Sequence, residues 1–185
     1  MMTELSLHIL DVVENSIHAK ATLIEITICA KVKSDVLMIS ITDNGYGMTK
    51  KVLEHVTDPF FTTRKTRSVG LGIPFFRYAA LSSGGHFHIT SKPGAGTKVE
   101  ADFSLSHIDR LPLGDITGTI YTLITCNIQT DFVYIYQIDD RTFTLDTRQV
   151  KEILDGIPLN TPEVAAYLKG YLTENKQIVD NGYIL

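Results

Sequence analysis

Asp11 and Asn15 stand four residues apart in the stretch LHILDVVENSIHAK. On a helix, residues at that spacing share one face, so a carboxylate and an amide would be presented side by side. Magnesium takes hard oxygen ligands and prefers phosphate oxygens with one or two protein oxygens. The side-chain oxygen of Asn15 suits that role. Asp11 could orient or deprotonate a water or a substrate hydroxyl. Taken alone, such a pair is more often a solvated polar face.

Three further clusters follow in order. Asp43-Asn44-Gly45-Tyr46-Gly47 closes an apolar β-rich run. A buried carboxylate at that point can accept a hydrogen bond from the exocyclic amine of adenine, where guanine would present a repelling carbonyl. Gly45 and Gly47 would let backbone approach the ring. The plainer reading of Asp-Asn-Gly is a turn. Asp58-Pro59-Phe60-Phe61-Thr62-Thr63-Arg64-Lys65 comes next. Its aromatics, Phe60 among them, could anchor a loop whose far end brings hydroxyls such as Thr62 and a cation, Lys65 or Arg64, over polyphosphate. An ordinary exposed basic loop has the same composition. Gly70-Leu71-Gly72-Ile73 then opens a helical pattern. A helix N-terminus offers unpaired amides and a positive dipole end, which suit a phosphate. The Gly-x4-Gly-Lys-Ser/Thr loop and the full Gly-x-Gly-x-x-Gly fingerprint are both absent.

These clusters must be held by elements that the periodicity predicts. Leu5, Ile9, Val12, Val13 and Ile17 recur at helical spacing over residues 4–19, with Thr3 as the expected cap. Leu23–Val32 and Val36–Thr42 read as a hairpin turning at Lys33-Ser34-Asp35. A short helix is expected over 49–56 and a long one over 71–82, stopped by Ser83-Gly84-Gly85. Strands over 86–91 and 97–105 flank a Lys92-Pro93-Gly94-Ala95-Gly96 turn. Composition shifts at Ser106. We divide the chain into residues 1–106 and a small α/β appendage, 107–185. Helices are expected there over 116–125, 149–154 and 162–172, a hairpin about Asp139-Asp140, and a frayed tail over 173–185. Phe132, Tyr134 and Tyr136 alternate, as one sheet face against a core would, or as a partner surface would.

The chain has 185 residues, 44% of them hydrophobic, which is enough to bury a core. A net charge of -4 and a pI near 5.8 argue against a broadly basic nucleic-acid surface. Cys29 and Cys126 show no metal-ligand spacing and read as free thiols. No apolar run approaches the ~20 residues that span a bilayer, and the first residues do not resemble a secretory signal. A cytoplasmic protein without a membrane segment is the expectation.

Taken together, the four clusters resemble the GHKL ATPase superfamily of gyrases, heat-shock chaperone ATPases, histidine kinases and mismatch-repair ATPases. Asp11-Val12-Val13-Glu14-Asn15-Ser16 is similar to the mismatch-repair form of the first motif. Asp58 to Thr63 and Ser91-Lys92-Pro93-Gly94-Ala95-Gly96-Thr97 are similar to the histidine-kinase forms. The resemblance covers residues 4–105. It implies an α+β fold, a two-layer sandwich of the Bergerat ATP-binding type, with helices on one face of a mixed sheet. It also implies ATP and Mg2+ as ligands. Carried over, it places the metal on Asn15 and adenine on Asp43, with Gly45, Gly47 and Met48 lining the base site. Phosphates fall near Gly70, Leu71, Gly72 and Ile73, under a lid containing Phe60, Thr62 and Lys65. His18 falls where kinases carry a basic phosphate contact, and Thr97 matches a residue that helps seat the adenine.

Two departures bear on activity. Hydrolytic members carry Glu where this chain has Asp11, whose carboxylate reaches roughly 1.5 Å less far. General-base contacts need hydrogen-bond reach, so phosphate transfer or slow turnover is expected over fast hydrolysis. Glu14 is adjacent to Asn15 and points about 100° around the helix, so it does not substitute. Histidine kinases also place a helical hairpin with the phosphorylated His before this domain, whereas Met1 to Thr3 alone precede the first helix here. A separate partner protein is therefore expected to supply the acceptor, since His8 on the helix itself is poorly suited. A nucleotide-gated regulatory module with little turnover is the main alternative. A DNA-linked ATPase is a weaker one.

Overall fold

The computed structural model describes residues 2–58 and 71–185. In chain order these form α1 (Leu5–His18), β1 (Leu23–Lys31), a 3-10 turn (Val32–Ser34), β2 (Val36–Asp43), α2 (Lys50–His55) and α3 (Gly72–Ser82). There follow β3 (Phe87–Lys92), β4 (Gly96–Ser104), α4 (Ile116–Cys126), β5 (Asp131–Ile138), β6 (Arg141–Asp146), α5 (Thr147–Ile153) and α6 (Pro162–Asp180). The strands make one mixed six-stranded sheet in the order β3-β4-β2-β1-β5-β6. The β1–β5 pair is parallel and the other pairs are antiparallel. This is the α+β architecture expected from the motifs. No helix among the described residues is long and apolar enough to cross a membrane.

The period-two alternation of the strands sets the layers. Ile24, Ile26 and Ile28 of β1, Leu37, Ile39 and Ile41 of β2, and Val99, Ala101 and Phe103 of β4 are buried. Their in-between neighbours, such as Glu25 and Thr27 on β1 and Ser40 and Thr42 on β2, are half-buried or exposed. The buried face meets the apolar stripe of α1, formed by Leu5, Ile9, Val12 and Val13. Phe76 of α3 fills the space beside it, edge-on to Phe87 and tilted against Phe103. Its other neighbour is the ring of His8, stacked with centroids 6.0 Å apart. Truncating a wholly buried phenylalanine of this kind costs about 3–5 kcal/mol, so Phe76 is a principal tie between α3 and the sheet.

The start of α1 departs from expectation. Thr3 is not its cap; Glu4 occupies that position in an extended conformation and makes no side-chain cap bond. The first amides of a helix have no partner inside it. Here the Leu5 and Ser6 amides donate to the Pro112 and Leu113 carbonyls instead, both at 2.9 Å. The Glu4 carboxylate is thereby released to accept from the Asp115 amide at 3.1 Å, at the cap of α4. Distant backbone thus does what a local hydroxyl was expected to do.

Residues 107–185 add to the same sheet, with β5 lying along β1 from Leu23↔Asp131 to Ala30↔Ile138. The division placed near residue 106 runs through a continuous sheet and one hydrophobic core. Phe132, Tyr134 and Tyr136 belong to that core, each no more than 3% exposed, and are not a partner surface. The expectation of a frayed tail is overturned. α6 continues to Asp180, where it ends on left-handed Asn181. Val179 and Leu185 are buried, and the Leu113 amide donates to the Leu185 carbonyl. The polar composition of 173–180 hides a helix held by tertiary contacts, chiefly Tyr136 Oη donating to Asp180 Oδ1 at 2.6 Å and the Arg141 guanidinium donating to the Val179 carbonyl at 2.7 Å. Burial raises the Tyr136 phenol, and its bond to Asp180 adds to the shift. Cys29 is a buried free thiol, pushed up by burial, and Cys126 is an exposed one.

Candidate nucleotide site

Asp43 ends β2 on the helix-covered face and is 8% exposed. Its two oxygens have separate donors. Oδ1 accepts from the Gly45 amide at 2.8 Å. Oδ2 accepts from the Ser16 hydroxyl of α1 at 2.7 Å, a bond buried on both sides. A carboxylate offers about four acceptor positions, so both oxygens keep room for a further donor. Ser16 lies one residue past Asn15, which turns it about 100° around the helix toward the sheet. Nothing in the local motif marks Ser16, because its partner lies on a different element.

Asp43 pairs in register with Thr97 of β4, and Thr97 pairs in register with Ser91 of β3. Directly opposed residues project to the same face, so Ser91, Thr97 and Asp43 form a polar row across three strands. Ser91 Oγ donates to the Gly96 carbonyl at 2.8 Å, receives the Met48 amide at 2.8 Å and lies 2.9 Å from Thr97 Oγ1. Met48 therefore reaches the row through its backbone. A shallow cleft at these strand ends is lined by Asp43, Ser91, Lys92, Gly96 and Thr97, among others. Gly96 has φ +82°, and a β-carbon on it would fall 1.8 Å from the Asp43 carbonyl oxygen, so only glycine lets β4 begin there. Gly45 and Gly47 are both buried, against Ala19 and against the Lys92 carbonyl respectively. Tyr46 between them donates its amide to the Ala19 carbonyl at 2.9 Å. Asn44 ties the same loop to β1, accepting from the Thr22 and Leu23 amides at 2.9 and 3.0 Å.

The second group of expected residues meets where α1 faces α3. Gly72 is the first residue of α3, and a β-carbon there would lie 3.2 Å from Asp11 Cβ and 3.5 Å from Asn15 Nδ2. Asp11 and Asn15 are both half-buried on α1. The side chain of Ile73 is nearly buried and that of Leu71 is exposed. Pro74 has no amide to leave unpaired in this first turn. The backbone N–H groups of Gly72 and Ile73 are thus the helix-end donors beside Asp11 and Asn15. His18, at the far end of α1, is exposed, and its Nδ1 donates to the Glu14 carbonyl at 2.5 Å. Phe60, Thr62, Lys65 and Gly70 lie outside the described residues.

One helix thus serves two ends of a site. Ser16 holds the carboxylate at the strand ends, and Asp11 and Asn15 stand against the start of α3. The motifs single out Asp43, Thr97 and Gly72 but not the serines that bond two of them, Ser16 to Asp43 and Ser91 to Thr97. Ser91 was discoverable in principle, since a hydroxyl in register with Thr97 beside a Pro-Gly turn needs a partner.

Comparison with known proteins identifies the family and the fold. The model of the family described as histidine kinase-, DNA gyrase B-, and HSP90-like ATPases matches residues 3–107. Over 98 residues, 53% of this chain, it is 31% identical to sporulation kinase D of Bacillus subtilis, and the match covers 19% of that kinase. Over 89 residues, 48% of this chain, it is 36% identical to the sensor protein kinase FleS of Pseudomonas aeruginosa, covering 22% of it. The matched segment therefore spans about a fifth of each kinase. Among solved structures, the Aquifex aeolicus MutL ATPase domain complexed with ADP superposes with a TM-score of 0.51 at 16% identity, covering 84% of this chain and 70% of that one. That likeness is one of fold.

Proposed function

The chain belongs to the family of histidine kinase-, DNA gyrase B-, and HSP90-like ATPases, and from that premise we propose that it binds Mg-ATP and passes the terminal phosphate to a separate partner protein. The observation that carries the proposal is the double duty of α1. Its Ser16 grips the base-selecting Asp43, while Asp11 and Asn15 abut the amide end of α3 at Gly72.

The residues fit both ligands. Asp43 presents an acceptor-only group to the amine of adenine. The side-chain oxygen of Asn15 is a hard donor of the kind magnesium takes together with phosphate oxygens. Gly72 keeps side chain away from the first-turn amides that would hold a phosphate. Bound magnesium would neutralise charge on the phosphates. Asp11, beside those amides, would receive the acceptor's proton as the acceptor–phosphorus bond forms and the bond to the ADP oxygen breaks. Its shorter reach relative to glutamate favours an acceptor delivered by a partner over a loosely held water. His8 is unsuited as that acceptor, being 3% exposed and stacked on Phe76.

Turnover of Mg-ATP by the wild type, Asp11→Asn and Asn15→Ala, with and without host extract and labelled ATP, tests the proposal. Labelled partner protein that disappears with Asp11→Asn while ATP still binds is the expected result. ATP binding without labelled protein under any condition would reject transfer and leave a nucleotide-gated module. Wild-type protein that binds no ATP would reject the whole reading.

A further inference from the structure

Hydroxyl groups are ambiguous in most structures because each can donate or accept. At Ser91 the ambiguity is removed by its neighbours. A serine hydroxyl has one proton and two lone pairs. The Gly96 carbonyl oxygen, 2.8 Å away, can only accept, so it takes the Ser91 proton. The Met48 amide, also at 2.8 Å, can only donate, so it fills one lone pair. The remaining contact is with Thr97 Oγ1 at 2.9 Å, and there Ser91 has only a lone pair left to offer. The Thr97 proton must therefore point at Ser91. Thr97 Oγ1 is left with lone pairs alone.

Thr97 stands directly opposite Asp43 in the β2–β4 ladder, so their β-carbons are about 4.5–5.5 Å apart on one face. The Asp43 oxygens are likewise committed as acceptors, by the Gly45 amide and the Ser16 hydroxyl. Two acceptors side by side match a purine 6-amino group, which carries two N–H donors. A 6-oxo group carries none.

We propose that Ser91 is a specificity-determining positioning residue, which pins the Thr97 proton and so fixes Thr97 Oγ1 as a second acceptor beside Asp43 for a 6-aminopurine. The proposal rests on the ATP-binding reading above. It adds that discrimination against 6-oxopurines is shared between Asp43 and a threonine whose polarity is set from β3. Without Ser91 the Thr97 hydroxyl can rotate and donate, which suits a 6-oxo group better and a 6-amino group worse.

The test is calorimetric binding of Mg-ATP and Mg-ITP to the full chain. The wild type is expected to prefer ATP. In Ser91→Ala the ATP/ITP ratio should fall about tenfold, the worth of one hydrogen bond whose direction is reversed. Ser91→Thr, which keeps the hydroxyl, should restore the ratio. Thr97→Val should lower it by a similar factor, and adding Ser91→Ala to Thr97→Val should lower it no further. Thr97→Val also carries the test should Ser91→Ala fail to fold. A purely structural role for Ser91 would weaken both nucleotides equally and leave the ratio intact, which would overturn the inference. An unchanged ratio in Thr97→Val, or no rescue by Ser91→Thr, would overturn it as well. A wild type that binds ATP and ITP equally would instead overturn the adenine reading beneath it.

Discussion

Gly72 of α3 is packed against Asp11 of α1 so closely that a single added carbon would stand 3.2 Å from the Asp11 β-carbon. This contact sets the distance between the proposed general base and the amides proposed to hold phosphate. Gly72→Val would push the two helices apart at this point. Misplacement of about 1 Å can cost on the order of 100-fold in rate. We expect Mg-ATP turnover to drop by that order with only a modest fall in thermal midpoint. Turnover equal to wild type in a folded Gly72→Val protein would show that the spacing is not used.

The β2–β4 junction predicts a backbone effect. Gly96 has φ +82° and no space for a β-carbon against the Asp43 carbonyl. Gly96→Ala combines a strained dihedral with a main-chain clash, and should destabilise by roughly 2–4 kcal/mol. Urea unfolding monitored by circular dichroism measures it. A loss within about 0.5 kcal/mol would contradict the close approach.

His8 makes stability depend on pH. Burial beside Phe76 lowers its pKa from 6.5 to about 4, and its Nδ1 meets no hydrogen-bond partner among the described residues. Between those values the unfolded chain binds the proton more readily than the folded one. Stability is therefore complete above pH 6.5, falls as the pH drops, and the loss is full below about 4. At 1.36 kcal/mol per unit the loss is about 3 kcal/mol. His8→Phe should remove that component, so the stability difference between variant and wild type should grow in the variant's favour on acidification. A difference that stays constant from pH 7 to 4 would refute the assignment.

Tyr136 anchors the end of α6. Its hydroxyl donates to Asp180, and Lys176 pairs with the same carboxylate while lying over the Tyr136 ring. Tyr136→Phe removes one charge-assisted hydrogen bond and keeps the packing, at a cost of about 1.5–3 kcal/mol. Hydrogen exchange should show faster opening of residues 173–180, with β1 and β2 unchanged. Unaltered protection at the end of α6 would mean that burial of Val179 and Leu185 suffices.

The parts of this fold that were legible share one trait: a local period or a local turn. The apolar spacing of Leu5, Ile9, Val12 and Val13 marks α1, and the Lys33-Ser34-Asp35 break marks the β1–β2 hairpin. Motif order singled out Asp43, Thr97 and Gly72, and the fold pairs the first two in register and packs the third against Asp11. What escaped depends on contacts distant in sequence. The last turns of α6 are polar on their own and helical because Tyr136 and Arg141 reach them. The cap of α1 is supplied by Pro112 and Leu113. Ser16 and Ser91 acquire their importance only when register sets them beside Asp43 and Thr97.

The parallel pairing of β1 with β5 has a consequence in time. β1 acquires β2 almost at once, since the hairpin is local, but Leu23 waits for Asp131. At ribosomal speeds of about 5–20 residues per second, the intervening chain takes roughly 5–20 s to appear. Throughout that interval the isoleucine-rich strand Leu23–Lys31 shows an unpaired edge, the kind of edge that recruits foreign strands. Non-local parallel pairing is also slow to form once its partner arrives. The nascent chain is therefore most exposed to wrong pairing after β1 to β4 have emerged and before β5 covers the free edge of β1.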